Sequence, residues 1–136
     1  MDAFDADVLI YAAVPGHELG RRIRPLLAGV GAEPAGVGSV LLLPELLAKP
    51  LRASAEDEMA ALVALLARLE LRPVDEAMAE LATSLGASYG LRAADAVHLA
   101  TAVSAGATRF LTNNRRDFPL SITEVDVTYP DELPEP

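Results

Sequence analysis

Asp5 and Asp7 stand two residues apart in FDADVLIYA, directly ahead of an apolar run. Glu45 sits among leucines in SVLLLPEL. Asp95 lies in RAADAVHLATA, a stretch so rich in Ala and Leu that its helix should be largely buried. Asn114 and Asp117 follow an apolar segment in TNNRRDF. A carboxylate on a buried helix face is costly unless it is paired or bound to a metal. Asp5, Glu45, Asp95 and Asp117 come from separate elements, in a chain with no cysteine and two histidines. Brought together they offer hard oxygen donors, which suit Mg²⁺ or Mn²⁺. Such an ion polarises a phosphoryl oxygen and lowers the pKa of a bound water. The chemistry indicated is metal-dependent phosphoryl transfer. Without the ion, gathered carboxylates repel one another and their pKa values rise.

The elements that must carry these acids can be read in outline. Phe4 and Val8 to Tyr11 read as a short buried strand, with Asp5 and Asp7 within it or just after it. A helix is expected from His17 to Ala28, with Leu19, Ile23, Leu26 and Leu27 on one side. Gly29 to Gly38 is a Gly/Pro-punctuated connector with room for a short strand. Ser39 is the expected N-cap of a helix through Leu41, Leu42, Glu45 and Leu46, with Pro44 early in it. Ser54 to Glu70 gives the clearest helical signal. Ser54 and Asp57 resemble a capping box, and Leu62, Leu65, Leu66 and Leu69 form a stripe. Pro73 ends a short extended piece.

Asp75 then caps a helix from Glu76 to Tyr89 that Gly90 closes. Leu91 to Ser104 is a further helix, ended by Gly106. Thr108 to Thr112 is a short strand, and Ile122 to Val127 alternates as a last strand at a sheet edge. Strands alternating with helices predict an α/β fold, with a central, mainly parallel sheet flanked by helices. One domain is expected over residues 1–129. Residues 130–136 form an acidic, Pro-rich C-terminal tail expected to be loose. Ligands of such sheets bind beyond the carboxyl ends of strands, where Asp5, Asn114 and Asp117 fall.

Composition narrows the classes. Hydrophobic residues make up 51% of the 136, which is ample for a core and excludes global disorder. Aromatics at 4% leave few platforms for stacking single-stranded bases. The lack of cysteine excludes disulfides and thiolate metal sites. No apolar run approaches the ~20 residues of a membrane span. No basic segment precedes an apolar one at the N-terminus, so a cytoplasmic protein with no membrane partner is expected. The net charge of -9 does not draw polyanions. A nucleic-acid substrate would need metal ions or local arginines, and a basic partner would be attracted.

The blocks DADVLIYA, SVLLLPEL, LRAADAVHLATAVSAGA and TRFLTNNRRDF, in that order, span nearly the whole chain. In them the chain resembles PIN-domain ribonucleases, and closely the VapC-type toxins of toxin–antitoxin pairs. The resemblance implies hydrolysis of RNA with one or two Mg²⁺ or Mn²⁺ ions. Asp5 and Asp95 would be the central ligands, and Glu45 and Asp117 would complete the shell or orient the attacking water. Thr112 would hydrogen-bond a carboxylate. Asn114 would hold water, metal or a neighbouring ligand. It also implies a homodimer, a cognate antitoxin with a basic segment, and an RNA such as a transfer or ribosomal RNA. The family usually has Thr or Ser, then Asn or Ser, after its first Asp. Here those positions hold Ala6 and Asp7.

Other readings stand beside this one. Asp5-x-Asp7 also suits the nucleophile and general acid of an aspartyl phosphatase. That pattern wants Thr or Val where this chain has Leu9, and a lysine in a context that Lys49, the only lysine, does not match. A catalytically silent PIN-like module binding RNA or protein is the alternative outside enzymes. Asp7 is expected to be solvated or to bond backbone amides. His98 shares a helix face with Asp95 and is expected to fill core space near the site rather than ligate. His17 is expected at the surface, and Arg21, Arg22 and Arg24 on one solvent face. Arg115 and Arg116 are expected either to contact RNA phosphates or to be solvated.

Overall fold

The computed structural model describes every residue except Val30. Its elements are β1 (Asp2–Phe4), α1 (Ala6–Ala13), α2 (Gly20–Leu27), β2 (Gly36–Ser39), α3 (Leu42–Arg52) and α4 (Glu56–Leu66). They continue with β3 (Leu69–Arg72), α5 (Glu76–Tyr89), α6 (Ala93–Ser104), β4 (Arg109–Leu111), β5 (Asp126–Thr128) and a 3₁₀ turn at Pro130–Glu132. The five strands form one sheet in the order β3-β2-β1-β4-β5. All pairings are parallel. The α/β fold with a central sheet is as expected, with a sheet that is parallel throughout.

Side chains alternate across the short strands. Ala3 and Phe110 join a core with Met78, Leu85, Leu99 and Phe118, beneath α5 and α6. Phe4 and Leu111 join a second core with Leu9, Ile23, Leu42 and Leu66, beneath α1 to α4. The sheet is thus sandwiched between two helical layers. The chain adds β2 and β3 on one side of β1, then returns through α5 and α6 to place β4 on the other side. The order of strands therefore reverses between β1 and β4, and in such sheets that is where a binding crevice opens.

Three sequence expectations are overturned. Val8 to Tyr11 is not strand: β1 stops at Phe4 and α1 begins at Ala6. Asp5 is extended (φ -80, ψ 165), and its carboxylate accepts from the Ala6 amide, so it starts a helix. Val8, Leu9 and Ala12 are buried while Ile10 is 45% exposed, which is helical spacing rather than alternation. The predicted helix Ser54–Glu70 is a helix plus a strand. Leu69–Arg72 pairs with β2 along its whole length, a tertiary gain that overrides local helix propensity. Ser54 takes a positive φ of 53, no side chain caps α4, and the capping box does not form. Ser39 ends β2 rather than capping α3, although its hydroxyl accepts from the Leu41 amide at 3.1 Å.

The last strand is shorter and later than the expected Ile122–Val127, since β5 is only Asp126–Thr128, but the ends of α5 follow the sequence closely. Asp75 caps α5 by accepting from the Met78 amide at 2.8 Å, and Gly90 closes that helix in the left-handed conformation (φ 66). Of the connector Gly29–Gly38, Val30 lies outside the described residues, and β2 is the strand it makes room for. Gly20 lets α2 approach α1: a Cβ there would meet the Tyr11 carbonyl oxygen at 2.1 Å.

The surface expectation holds for Arg21, which is exposed, but His17, Arg22 and Arg24 are partly buried and bonded. His17 Nδ1 accepts from the Leu19 and Gly20 amides at 3.2 and 3.1 Å, and its ring stacks on Tyr11 at 4.4 Å. It opens α2 instead of lying free. Arg24 donates to the carbonyls of Ala12 and Val14. Arg22 donates to the carbonyls of Asp131 and Leu133 and to Glu135. Leu133 is 3% exposed within the second core. The tail expected to be loose is held against α2. Among the described residues, no helix is long and apolar enough to cross a membrane.

Candidate active site

Asp5 directly follows β1, and Thr112 directly follows the adjacent β4. The Asp5 amide donates to the Leu111 carbonyl at 2.9 Å, which carries the strand pairing one residue past β1. Asp5 is only 6% exposed. Its Oδ1 accepts from the Ala6 amide and its Oδ2 from the Thr112 hydroxyl, each at 2.8 Å. Both oxygens are thus held at the β1/β4 switch point. Burial raises the pKa of Asp5 most, and the charge of Glu45 adds to it. His98 and the bonds from Thr112 and Ala6 work the other way without reversing the shift.

The loop after β4 is folded by its own side chains. The Asn114 amide donates to Thr112 Oγ1 at 3.1 Å. Asn114 Nδ2 donates to Asp117 Oδ2 at 3.0 Å, and the Asp117 amide donates back to Asn114 Oδ1 at 3.2 Å. Such a turn holds its acid over the strand end. Phe118 is fully buried and meets Phe110 edge-on at 5.1 Å, which anchors the far side of the loop.

Asp95 lies in the first turn of α6 and is partly exposed. The expectation of a buried carboxylate is corrected: α6 buries Ala96, His98, Leu99 and Ala100, while Asp95, one turn before His98, stays partly exposed. Because α6 leads by a short turn into β4, its start lies at the carboxyl edge of the sheet. Desolvation raises the pKa of Asp95, followed by the charges of Asp5 and Asp117. Glu45 comes from α3, which follows β2, and its Oε1 lies 2.5 Å from Nε2 of the buried His98. His98 is a core histidine, as expected, and it also grips Glu45.

Asp5, Glu45, Asp95 and Asp117 therefore meet electrostatically at one edge of the sheet. The pKa values of Asp5 and Asp95 are both raised, chiefly by burial; repulsion between carboxylates follows directly behind it at Asp95 and is the smallest cause at Asp5. Among the described residues, no three His, Asp or Glu side chains stand close enough to hold a metal ion between them. The donor set still suits a hard divalent cation, since it consists of carboxylate oxygens whose mutual repulsion an ion would relieve. Chelation by three of them requires side-chain rotation. Asp95, which makes no side-chain hydrogen bond among the described residues, is free enough to make it, whereas Asp5, Glu45 and Asp117 are held by Thr112, His98 and Asn114.

Asp7 bonds a backbone amide, one of the two roles expected for it, but with little solvent contact. Its Oδ2 accepts from the Asn113 amide at 2.9 Å, while Oδ1 is buried without a partner. Burial, then the charge of Asp5, pushes its pKa up to about 7. One helical turn on, the Tyr11 hydroxyl accepts from Asn113 Nδ2 at 3.3 Å. The start of α1 thus clasps the β4 loop, a role that the spacing Asp7–Tyr11 alone does not reveal. A general acid must reach the phosphate ester, and Asp7 has one oxygen bonded to the Asn113 amide and the other buried, so the phosphatase reading loses its second aspartate. Arg115 is committed to Asp131 at 2.6 Å and lies over the Tyr129 ring at 4.4 Å, while Arg116 is exposed.

The fold and this site can be set against known proteins. No curated protein matches the chain. A toxin–antitoxin complex from Klebsiella pneumoniae contains a chain 24% identical, with a TM-score of 0.74 over 96% of this chain and 98% of that one. VapBC2 from Rickettsia felis, bound to a DNA fragment from its promoter, is similar at 15% identity and TM-score 0.69, over 94% and 97%. FitAB bound to an IR36 DNA fragment is similar at 21% identity and TM-score 0.66, over 96% and 95%. At these identities the likeness establishes the fold. The PIN domain family model matches residues 3–120, from β1 through the loop that carries Asp117. That span takes in every acid gathered at the β1/β4 edge, and the chain belongs to the PIN domain family.

Proposed function

We propose that the chain is a metal-dependent endoribonuclease, the toxin of a toxin–antitoxin pair, acting on RNA in the cytoplasm. The observation that carries this reading is the gathering of Asp5, Glu45, Asp95 and Asp117 at the β1/β4 switch point of a PIN domain, with Asp5 and Asp95 shifted towards protonation. The toxin–antitoxin complexes among the similar structures support the biological setting. They also support a separate antitoxin chain as partner. An antitoxin with a basic segment suits the net charge of -9. A homodimer, and a transfer or ribosomal RNA as substrate, belong to the same reading.

Bound Mg²⁺ or Mn²⁺ would polarise the scissile phosphate and lower the pKa of a water. Asp5 and Asp95 would hold it, with Glu45 and Asp117 completing the shell. The chain's own residues supply position. Thr112 and the Ala6 amide fix Asp5 so that it needs no reorganisation to bind. Asn114 holds Asp117 by two hydrogen bonds. Asp7 and Tyr11 keep the β4 loop against α1. Exposed Arg116, beside Asp117, supplies a cation for an RNA phosphate, while Arg115 is paired with Asp131.

Incubating the protein with total cellular RNA and Mg²⁺ or Mn²⁺, beside Asp95→Asn, and sequencing the new RNA ends tests the reading. Discrete cuts that vanish with chelator and in the variant are expected. Identical RNA ends with and without protein, in both metals, would favour the second reading, a PIN module that binds without cutting. The spacing of the carboxylates as they stand is the observation on its side.

A further inference from the structure

We propose that His98 is a positioning residue that delivers the Glu45 carboxylate to the acidic site, so that α6, rather than Glu45's own helix, decides where that acid points. The inference rests on the reading of the acids as a cation site. Glu45 lies on the exposed side of α3, next to exposed Leu43 and Pro44. Its side-chain partner among the described residues is His98. A glutamate on a solvent-facing helix surface otherwise samples many rotamers.

His98 has no such freedom. It is 2% exposed, at the start of the run His98 to Ala102 that α6 buries. Its Nε2 stands 2.5 Å from Glu45 Oε1. Its Nδ1 is buried without a partner among the described residues, so the ring's one side-chain hydrogen bond runs through Nε2 to Glu45. Donation to Oε1 leaves Oε2 of Glu45 available to a cation. The rotamer selected in this way brings Glu45 into the electrostatic reach of both Asp5 and Asp95. His98 and Asp95 lie three residues apart on one helix face. One rigid element thus carries one acid directly and aims a second.

Mn²⁺ binding by the full chain, followed by electron paramagnetic resonance, tests this with Asp5→Asn, His98→Leu, His98→Gln, Glu45→Gln and the double variant His98→Leu/Glu45→Gln. Asp5→Asn is expected to lose most of the binding. His98→Leu is expected to weaken Mn²⁺ by roughly 10-fold or more, as losing a group that orients a ligand does. Adding Glu45→Gln to His98→Leu should then cost little more, because both changes disable one ligand. His98→Gln, which keeps an N–H donor at similar reach, should regain most of the affinity. If His98→Leu does not fold, His98→Asn replaces it: the shorter amide cannot reach Glu45 and should bind Mn²⁺ weakly where Gln binds well.

Wild-type affinity in His98→Leu or His98→Asn beside a defective Asp5→Asn would overturn the role of His98. So would fully additive losses in the double variant. Failure of the wild-type protein to bind Mn²⁺, or equal binding by Asp5→Asn, would instead overturn the cation-site reading itself.

Discussion

The hydroxyl of Thr112 donates to Oδ2 of Asp5 at 2.8 Å, joining the ends of β4 and β1 where the strand order reverses. Both side chains are buried, Thr112 completely. The bond lowers the cost of burying a carboxylate and fixes its orientation. Valine matches threonine in shape but lacks the donor. Thr112→Val should destabilise the protein by about 1–3 kcal/mol, read by urea unfolding. It should also slow RNA cleavage by roughly 10–100-fold. Unchanged stability and cleavage would mean that Asp5 is held by other means.

Asp7 predicts an unusual pH profile. Its folded-state pKa of about 7 lies above the ordinary 3.8. Between those values the native chain keeps a proton that the unfolded chain has lost. Stability therefore falls as pH rises through that window and stays reduced above it. The gap corresponds to at most about 4 kcal/mol, and residual solvent contact lowers that. Asp7→Asn keeps an acceptor for the Asn113 amide without the titration. It should melt higher than wild type at about pH 8 and much the same at about pH 4. Melting curves over pH that run parallel for the two proteins would contradict this.

The same direction of shift at Asp5 and Asp95 sets how a cation should compete with protons. Both pKa values are raised, so acid favours the protonated, non-ligating forms. Mn²⁺ should bind more tightly, and raise the melting temperature more, at about pH 8 than at about pH 5.5. Calorimetric titration at the two pH values checks it. Equal affinity at both would place the ion elsewhere.

Where the sequence carries local chemistry, it was readable. Asp75 and Gly90 bracket α5 because an N-cap acid and a left-handed glycine are local devices. The order of strands and helices, and the acids past strand ends, follow from the same kind of signal. What failed depends on partners distant in sequence. LELR becomes β3 because β2 lies alongside it. FDADVLIYA holds a strand and a helix because Asp5 can cap, and no short apolar run tells the two apart. Asn113–Asp7 and His98–Glu45 are each separated by more than 50 residues, and the carboxylate partner of Thr112 is expected from the resemblance alone. A chain without its homologues offers no local trace of such pairs.

The C-terminal residues illustrate the point through stability. Pro134 and Pro136 and the acids around them read as loose, yet Leu133 enters the second core and Arg22 grips its carbonyl at 2.7 Å. Leu133→Ala should cost about 2–5 kcal/mol, the range for a buried leucine. Thermal or urea unfolding measures it directly. A change below about 0.5 kcal/mol, usual for surface sites, would mean that the tail is not docked in solution.

The central claim is that the acids at the β1/β4 edge cut RNA. Single-turnover cleavage of one RNA at a mapped site, in saturating Mg²⁺, measures it most directly with wild type, Asp5→Asn and Asp95→Asn side by side. Asparagine keeps an acceptor for the Ala6 amide at Asp5, and the Thr112 hydroxyl can turn to accept from its NH2, so the fold should survive. The account predicts that each variant loses cleavage by roughly 1000-fold or more, about 4 kcal/mol of transition-state stabilisation. Rates within about 10-fold of wild type for either variant would show that the gathered carboxylates do not perform the chemistry.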